Sequence, residues 1–198
     1  MYYGARYSCE VYYDNIMELF AGMDLSNITL IMTAYYTAYS SGMSFNGVGA
    51  EHTDGGGVEL IHLQHTDNEK LTQNNVFEMG LSSSMAELAE LFHSVLVVLQ
   101  PPELGAKLRS CIKRPLMPVN EACKTDIQDV KERQLNYRQM LVKEASKYTN
   151  ISTVETIDLF CDDMVCGPLD GTISLYRDHN HISPEGSRRI LSRLAKLW

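Results

Sequence analysis

Hydrophobic positions along the chain follow two alternating periods. Residues 8–22 set apolar and polar groups at helical spacing, with Val11, Asn15, Ile16 and Leu19 around one side and Gly22 as a stop. Residues 27–34 are a short apolar run, rich in β-branched side chains and free of polar alternation. That pattern predicts a central parallel strand covered on both faces. The run ends at Tyr35 and Tyr36. Ligands of parallel α/β sheets bind at the C-terminal strand edge, so these rings are candidate pocket residues, although core and rim packing explains them equally well.

The helical period returns over 75–92 through Met79, Met85, Leu88, Leu91 and Phe92, with Ser82, Ser83 and Ser84 reading as a cap-like cluster. Residues 93–99 form a second buried strand, stopped by Gln100-Pro101-Pro102 because proline removes a ladder donor and restricts the residue before it. Pro115 and Pro118 keep the next segment irregular, and 124–148 is the clearest helix, with Val130, Leu135, Leu141 and Val142 as core candidates. A third strand is expected at 151–160. A last helix, 185–197, puts Ile190, Leu191, Leu194 and Leu197 on one stripe, with Arg188, Arg189, Arg193 and Lys196 mostly outside. This order specifies one three-layer α/β/α domain over 1–198 with a parallel sheet.

Residues 40–75 break the pattern with Gly, Ser, Asn, Asp and His, and a hairpin is expected where Gly55-Gly56-Gly57 leads into Val58. The stretch reads as an insertion, not a domain boundary. His52, His62 and His65 invite a metal reading, but His62 and His65 would face opposite sides of a strand, so solvated histidines are the simpler account.

A formal net charge of -8 without a basic run argues against nucleic acid or an anionic membrane surface as partner. No segment approaches the roughly 20 apolar residues of a membrane span. The Tyr-rich start lacks the charged-then-apolar pattern of a signal peptide, which alone suggests the cytoplasm. Cysteine usage points the other way. Cys161 and Cys166 are close enough in sequence to close a small disulfide, Cys111 and Cys123 bracket a Pro-containing loop and form a second candidate pair, and Cys9 is left over. Five reduced thiols remain the alternative, and no spacing indicates structural zinc.

The candidate chemistry lies in Leu175-Tyr176-Arg177-Asp178-His179-Asn180-His181-Ile182-Ser183-Pro184-Glu185-Gly186. An Asp three residues before a His, in a short non-helical segment, can hold one imidazole nitrogen and leave the other free as a general base. Ser183 reads as an N-cap, Pro184 as the first helical residue and Glu185 as a favourable charge at the helix start. A metal site from Asp178, His179 and His181 is disfavoured because adjacent residues do not easily face one ion.

With the preceding Ile157-Asp158-Leu159-Phe160-Cys161 and Cys166, this tail resembles the closing segment of SGNH hydrolase domains, which are flavodoxin-like. It is most similar to those attached to membrane O-acyltransferases of the acyltransferase-3 family. Cys9, Tyr35, Tyr36, the strand into Gln100-Pro101-Pro102 and Cys111 agree in order, so the resemblance spans nearly the whole chain. It implies a Ser-His-Asp mechanism in which Asp178 orients His181, His181 deprotonates a serine, and an acyl-enzyme passes acetyl to a carbohydrate hydroxyl or to water. It further implies a domain facing outward from the membrane beside a membrane acyltransferase domain, with no cofactor.

One part of the family pattern is missing. The 198 residues contain no Gly-Asp-Ser, and the chain opens at Tyr2-Tyr3-Gly4-Ala5, past the place of the family's first strand. Loss of that strand and its serine by truncation is the expected explanation. The Asn of the family's Gly-x-Asn-Asp block is also not visible, and Asn46 follows the wrong element. Ser40, Ser41 and Ser44 read as loop serines. The rival account is a non-catalytic carbohydrate-binding or structural remnant of the same fold.

Overall fold

The computed structural model of the protein describes residues 2–3, 9–42, 61–62, 71–105, 108–111 and 123–197. The first half contains β1 (Tyr2–Tyr3), α1 (Cys9–Ala21), β2 (Thr29–Met32), α2 (Tyr36–Ser41), β3 (Ile61–His62), α3 (Gln73–Leu91) and β4 (Ser94–Val98). The second contains α4 (Leu108–Cys111), β5 (Thr125–Asp126), α5 (Ile127–Ala145), β6 (Ile151–Val154), β7 (Val165–Cys166), β8 (Leu169–Asp170), β9 (Ile173–Ser174) and α6 (Pro184–Leu194). Two compact units emerge: one of residues 1–43, 57–98 and 136–153, the other of 44–56, 99–135 and 154–198.

The main sheet has the order β2-β4-β6, with β2 parallel to β4 from Thr29 opposite Ser94 to Met32 opposite Val97. The bonds Val95 N to Asn150 O and Leu99 N to Val154 O advance together along β4 and β6, as in a parallel pair. The expected mixed α/β architecture with a parallel sheet is therefore present. The position of β2 is not as expected. Its apolar composition suggested the covered centre, whereas among the described residues it ends the strand order with Ile31, and Ile28 just before it, exposed, and β4 lies between its neighbours with Val95 and Val97 fully buried. An unalternating apolar run shows that a strand is parallel-like but not which strand is flanked on both sides.

Helix phases needed similar correction. Helix α3 starts earlier than expected because Thr72 caps it: the Thr72 hydroxyl accepts from Asn75 N, and the Asn75 side chain accepts from Thr72 N. Ser82, Ser83 and Ser84 consequently lie inside the helix and not at its cap, with the Ser82 hydroxyl donating to Glu144 at 3.0 Å. In α5, Val130 and Leu141 are buried as expected, but Leu135 and Val142 are exposed. The buried row runs through Gln134, Tyr137 and Ala145 instead, and hydropathy alone could not select a stripe containing Gln134. The third strand stops at Val154, where Thr156 turns inward and donates from its hydroxyl to Leu99 O, and a 3₁₀ turn follows at Ile157–Leu159. In α6, Ile190 and Leu194 are buried while Leu191 is exposed, and Leu197 lies exposed beyond the helix, which ends at Leu194 and not at 197.

Two disulfides are formed, Cys111–Cys123 and Cys161–Cys166, the second with its Cα atoms 3.9 Å apart. Cys166 packs with Ile127 and Val130 in a small core to which Ile157 and Cys161 contribute. Most of the expected insertion, with Ser44, Asn46, His52, His65 and the run 55–57, lies outside the described residues, as do Pro115 and Pro118. Of that region β3 is described, paired antiparallel with β1.

Replacing Thr72 with Ala should cost about 1 kcal/mol, the usual worth of such a cap, in a urea titration. Peptide mapping without reductant should recover Cys111 joined to Cys123 and Cys161 joined to Cys166. Other pairings would contradict the packing around Cys166.

Candidate active site

The tail folds as a narrow hairpin followed by a capped helix. Tyr176 and Ile182 form an antiparallel bridge, Ser183 N–H donates to Leu175 O at 2.9 Å, and Arg177 N–H donates to His181 O at 2.8 Å. Asp178 through His181 thereby occupy the closed tip. The hairpin stands on buried Leu175 and Tyr176, and the Tyr176 ring meets Phe160 edge-on at 5.4 Å between centroids. As expected, Ser183 caps α6: its hydroxyl accepts from Gly186 N and donates to Ser174 O, tying the helix start to β9. Pro184 takes the first helical position.

The Asp178 carboxylate collects three N–H groups. Its Oδ1 accepts from Asn180 N at 3.0 Å and His181 N at 2.8 Å, and its Oδ2 lies 2.8 Å from His181 Nδ1. Partial burial works to raise the Asp178 pKa, but the two backbone donors and the imidazole outweigh it, so the carboxyl titrates below its ordinary value. The carboxylate is thus the stable form near neutrality and holds the imidazole through Nδ1. The His181 side chain is 71% exposed, and its Nε2 has no partner among the described residues. Such an imidazole can accept a proton from a hydroxyl brought to it.

The other sequence candidates are placed as follows. Tyr36 is packed at 4% exposure and stacks on Tyr137 with centroids 5.5 Å apart, and burial pushes its phenol well above the ordinary range. Tyr35 precedes α2 and is half-buried. Ser40 and Ser41 are not loop serines: they lie in α2, with both hydroxyls donating to Thr37 O. No described serine hydroxyl is bonded to His181. Among the described residues, no three His, Cys, Asp or Glu side chains are placed to share a metal ion.

Several supporting residues escaped sequence reasoning. The Tyr176 hydroxyl donates to Pro102 O at 2.8 Å, and Leu104 N–H donates to His179 O at 2.7 Å. Both bonds join segments distant in sequence and leave no local pattern. Gly186 is different, because Pro-Glu-Gly at a helix start marks a glycine where helix propensity would not favour one. A Cβ there would lie 2.4 Å from Leu175 O and 3.2 Å from Phe160 Cε1. Arg193 and Arg189 anchor the helix, Arg193 as a two-pronged pair with Asp158 and Arg189 through Leu159 O and Asp170.

A capped helix start beneath an Asp-x-x-His hairpin, in a mixed α/β chain with a parallel sheet, defines the SGNH class of hydrolase and acyltransferase-like folds. The family model for the SGNH domain fused to AT3 domains matches residues 2–196, and the chain belongs to that family. A solved structure from Streptococcus pneumonia, described provisionally as a platelet activating factor, is similar over 95% of this chain and 91% of its own, with a TM-score of 0.48 and 14% identity. None of the curated proteins matches the chain. No helix among the described residues is long and apolar enough to cross a membrane.

Gly186→Ala should destabilise by about 1–3 kcal/mol, as expected of overpacking against backbone, read as a lowered midpoint in chemical denaturation. The acid response has a definite sign. Since the folded Asp178 carboxyl titrates below the unfolded value of about 3.9, its contribution is complete above that value and is lost as pH falls through the folded pKa. The side-chain carboxyl ¹³C resonance of Asp178 should therefore titrate with its main midpoint below about 3.9. A main midpoint above 5 would contradict the carboxylate assignment.

Proposed function

We propose that Asp178 and His181 are the acid-base half of a Ser-His-Asp site that moves an acyl group, acetyl in the simplest case, to a carbohydrate hydroxyl or to water. The observation that carries this reading is the 2.8 Å approach of Asp178 Oδ2 to His181 Nδ1 with Nε2 left open. Asp178 holds the imidazole with its proton on Nδ1, Nε2 removes the proton of a serine hydroxyl, and the serine oxygen attacks the ester carbonyl. The imidazolium then protonates the departing alcohol, the ester bond breaks, and a second alcohol or water reverses the sequence to release the acyl group.

The 198 residues hold no Gly-Asp-Ser, so on this reading the nucleophile comes from outside them, in a longer product. The family match over 2–196 supports taking both units as parts of one SGNH-like domain. The AT3-fused class supports a membrane acyltransferase domain as partner, and the two disulfides support an oxidising, extracytoplasmic setting. Of the two candidate substrate rings, Tyr35 is the one with surface left to offer.

The test compares the 198-residue chain with the longest product of its native reading frame on a chromogenic acetyl ester, each beside a His181→Ala variant. We expect no His181-dependent turnover from the chain alone. We expect turnover from the longer product that falls by roughly 10³-fold or more in the variant. Rapid His181-dependent hydrolysis by the chain alone would place the nucleophile within it. A longer product that lacks a Gly-Asp-Ser and is inactive would favour the non-catalytic remnant.

A further inference from the structure

The tip is ordered within itself, and part of its placement comes from a segment distant in sequence. Apart from Ser174, whose hydroxyl donates to Tyr176 O, the hydrogen bonds that link 176–182 to described residues distant in sequence go to Pro102 O and Leu104 N. The buried base of the hairpin and the start of α6 hold it from below, and residues 102–104 hold its tip, so a shift of that segment moves Asp178 and His181. That stretch follows Pro101-Pro102 and has no ladder of its own, so side chains must fix it. From α5, the Gln134 amide donates to Pro101 O at 3.0 Å. From the next position back, Arg133 grips Glu103 with Nε at 3.0 Å from Oε2 and Nη2 at 3.4 Å from Oε1. Glu103 is 2% exposed. A carboxylate buried that deeply is costly without a counter-charge, so the Arg133 guanidinium favours this seat for the segment. The two-pronged contact fixes orientation as well as distance.

We propose that Glu103 and Arg133 are a positioning pair for the Asp178–His181 dyad, acting through Leu104 N–H on His179 O and through Pro102 O on the Tyr176 hydroxyl. The role rests on the catalytic reading above. Neither side chain is assigned contact with substrate; the pair determines where the imidazole stands.

The test is ¹⁵N NMR of the His181 imidazole in the 198-residue chain, with Asp178→Ala as the reference for a ring that has lost its orienting partner. In Arg133→Met, the Nδ1 and Nε2 signals should move at least roughly half-way from parent to reference, because loss of the counter-charge unseats the segment. Arg133→Lys, which keeps charge but not the fork, should restore part of the difference. If Arg133→Met fails to fold, the double variant Glu103→Met with Arg133→Met is read instead, since it removes both charges of the pair together. It should also shift the signals. Imidazole signals at parental positions in a folded variant with lowered thermal stability would overturn the proposal and leave the pair a purely structural role. The readout is independent of turnover. Failure of the catalytic reading would appear as an inactive longer product whose His181 signals are parental.

Discussion

The structure around the candidate site depends on one carboxylate. Asp178 accepts from two consecutive backbone amides and from the imidazole of His181, so a single group both closes the turn and orients the ring. The arrangement needs a side chain that only accepts, carries charge and is short enough to fold back three residues along the chain. Aspartate satisfies all three conditions, and the donors in turn keep it ionised. Turn geometry and the orientation of the imidazole therefore share the same bonds.

A turn this exposed would be loose without rigid supports on either side. Downstream, Ser183 and Gly186 bring the start of α6 hard against Leu175 and Phe160, with no room for a β-carbon at 186. Upstream, Leu175 and Tyr176 are buried, and the Tyr176 hydroxyl and His179 carbonyl reach the segment after β4. The arginines of α6 clamp the helix to the 3₁₀ turn and to β8 with charge-assisted bonds. The exposed Asp178–His181 pair thus gains its order from well-buried neighbours.

Much of this was legible in the sequence because it is local. Asp178, His181, Ser183 and Pro184 lie within seven consecutive positions, and their spacing alone specifies a turn, a helix cap and a paired Asp and His. The apolar runs likewise revealed β4 and the start of β6. Phase and rank were less accessible: Leu135, Val142 and Leu191 look like core residues yet are exposed, because Gln134 and Tyr137 take the buried row of α5 and α6 covers its neighbours with a narrower stripe. The place of β2 at the end of the order of described strands depends on which strands pair, a non-local property. Glu103, Arg133 and Tyr176 were missed for the same reason, since each becomes informative only when its distant partner is in place. The family resemblance, by contrast, was carried by the tail and extends over residues 2–196.

The central claim, that the Asp178 carboxylate organises both the turn and the imidazole, is tested most directly by amide hydrogen exchange of residues 175–190 in the parent chain and in Asp178→Ala. The account expects the amides of Asn180 and His181 to lose protection in the variant while those of α6 beyond Gly186 keep theirs. Unchanged protection at Asn180 and His181 would show that the turn holds itself without the carboxylate and would contradict the account.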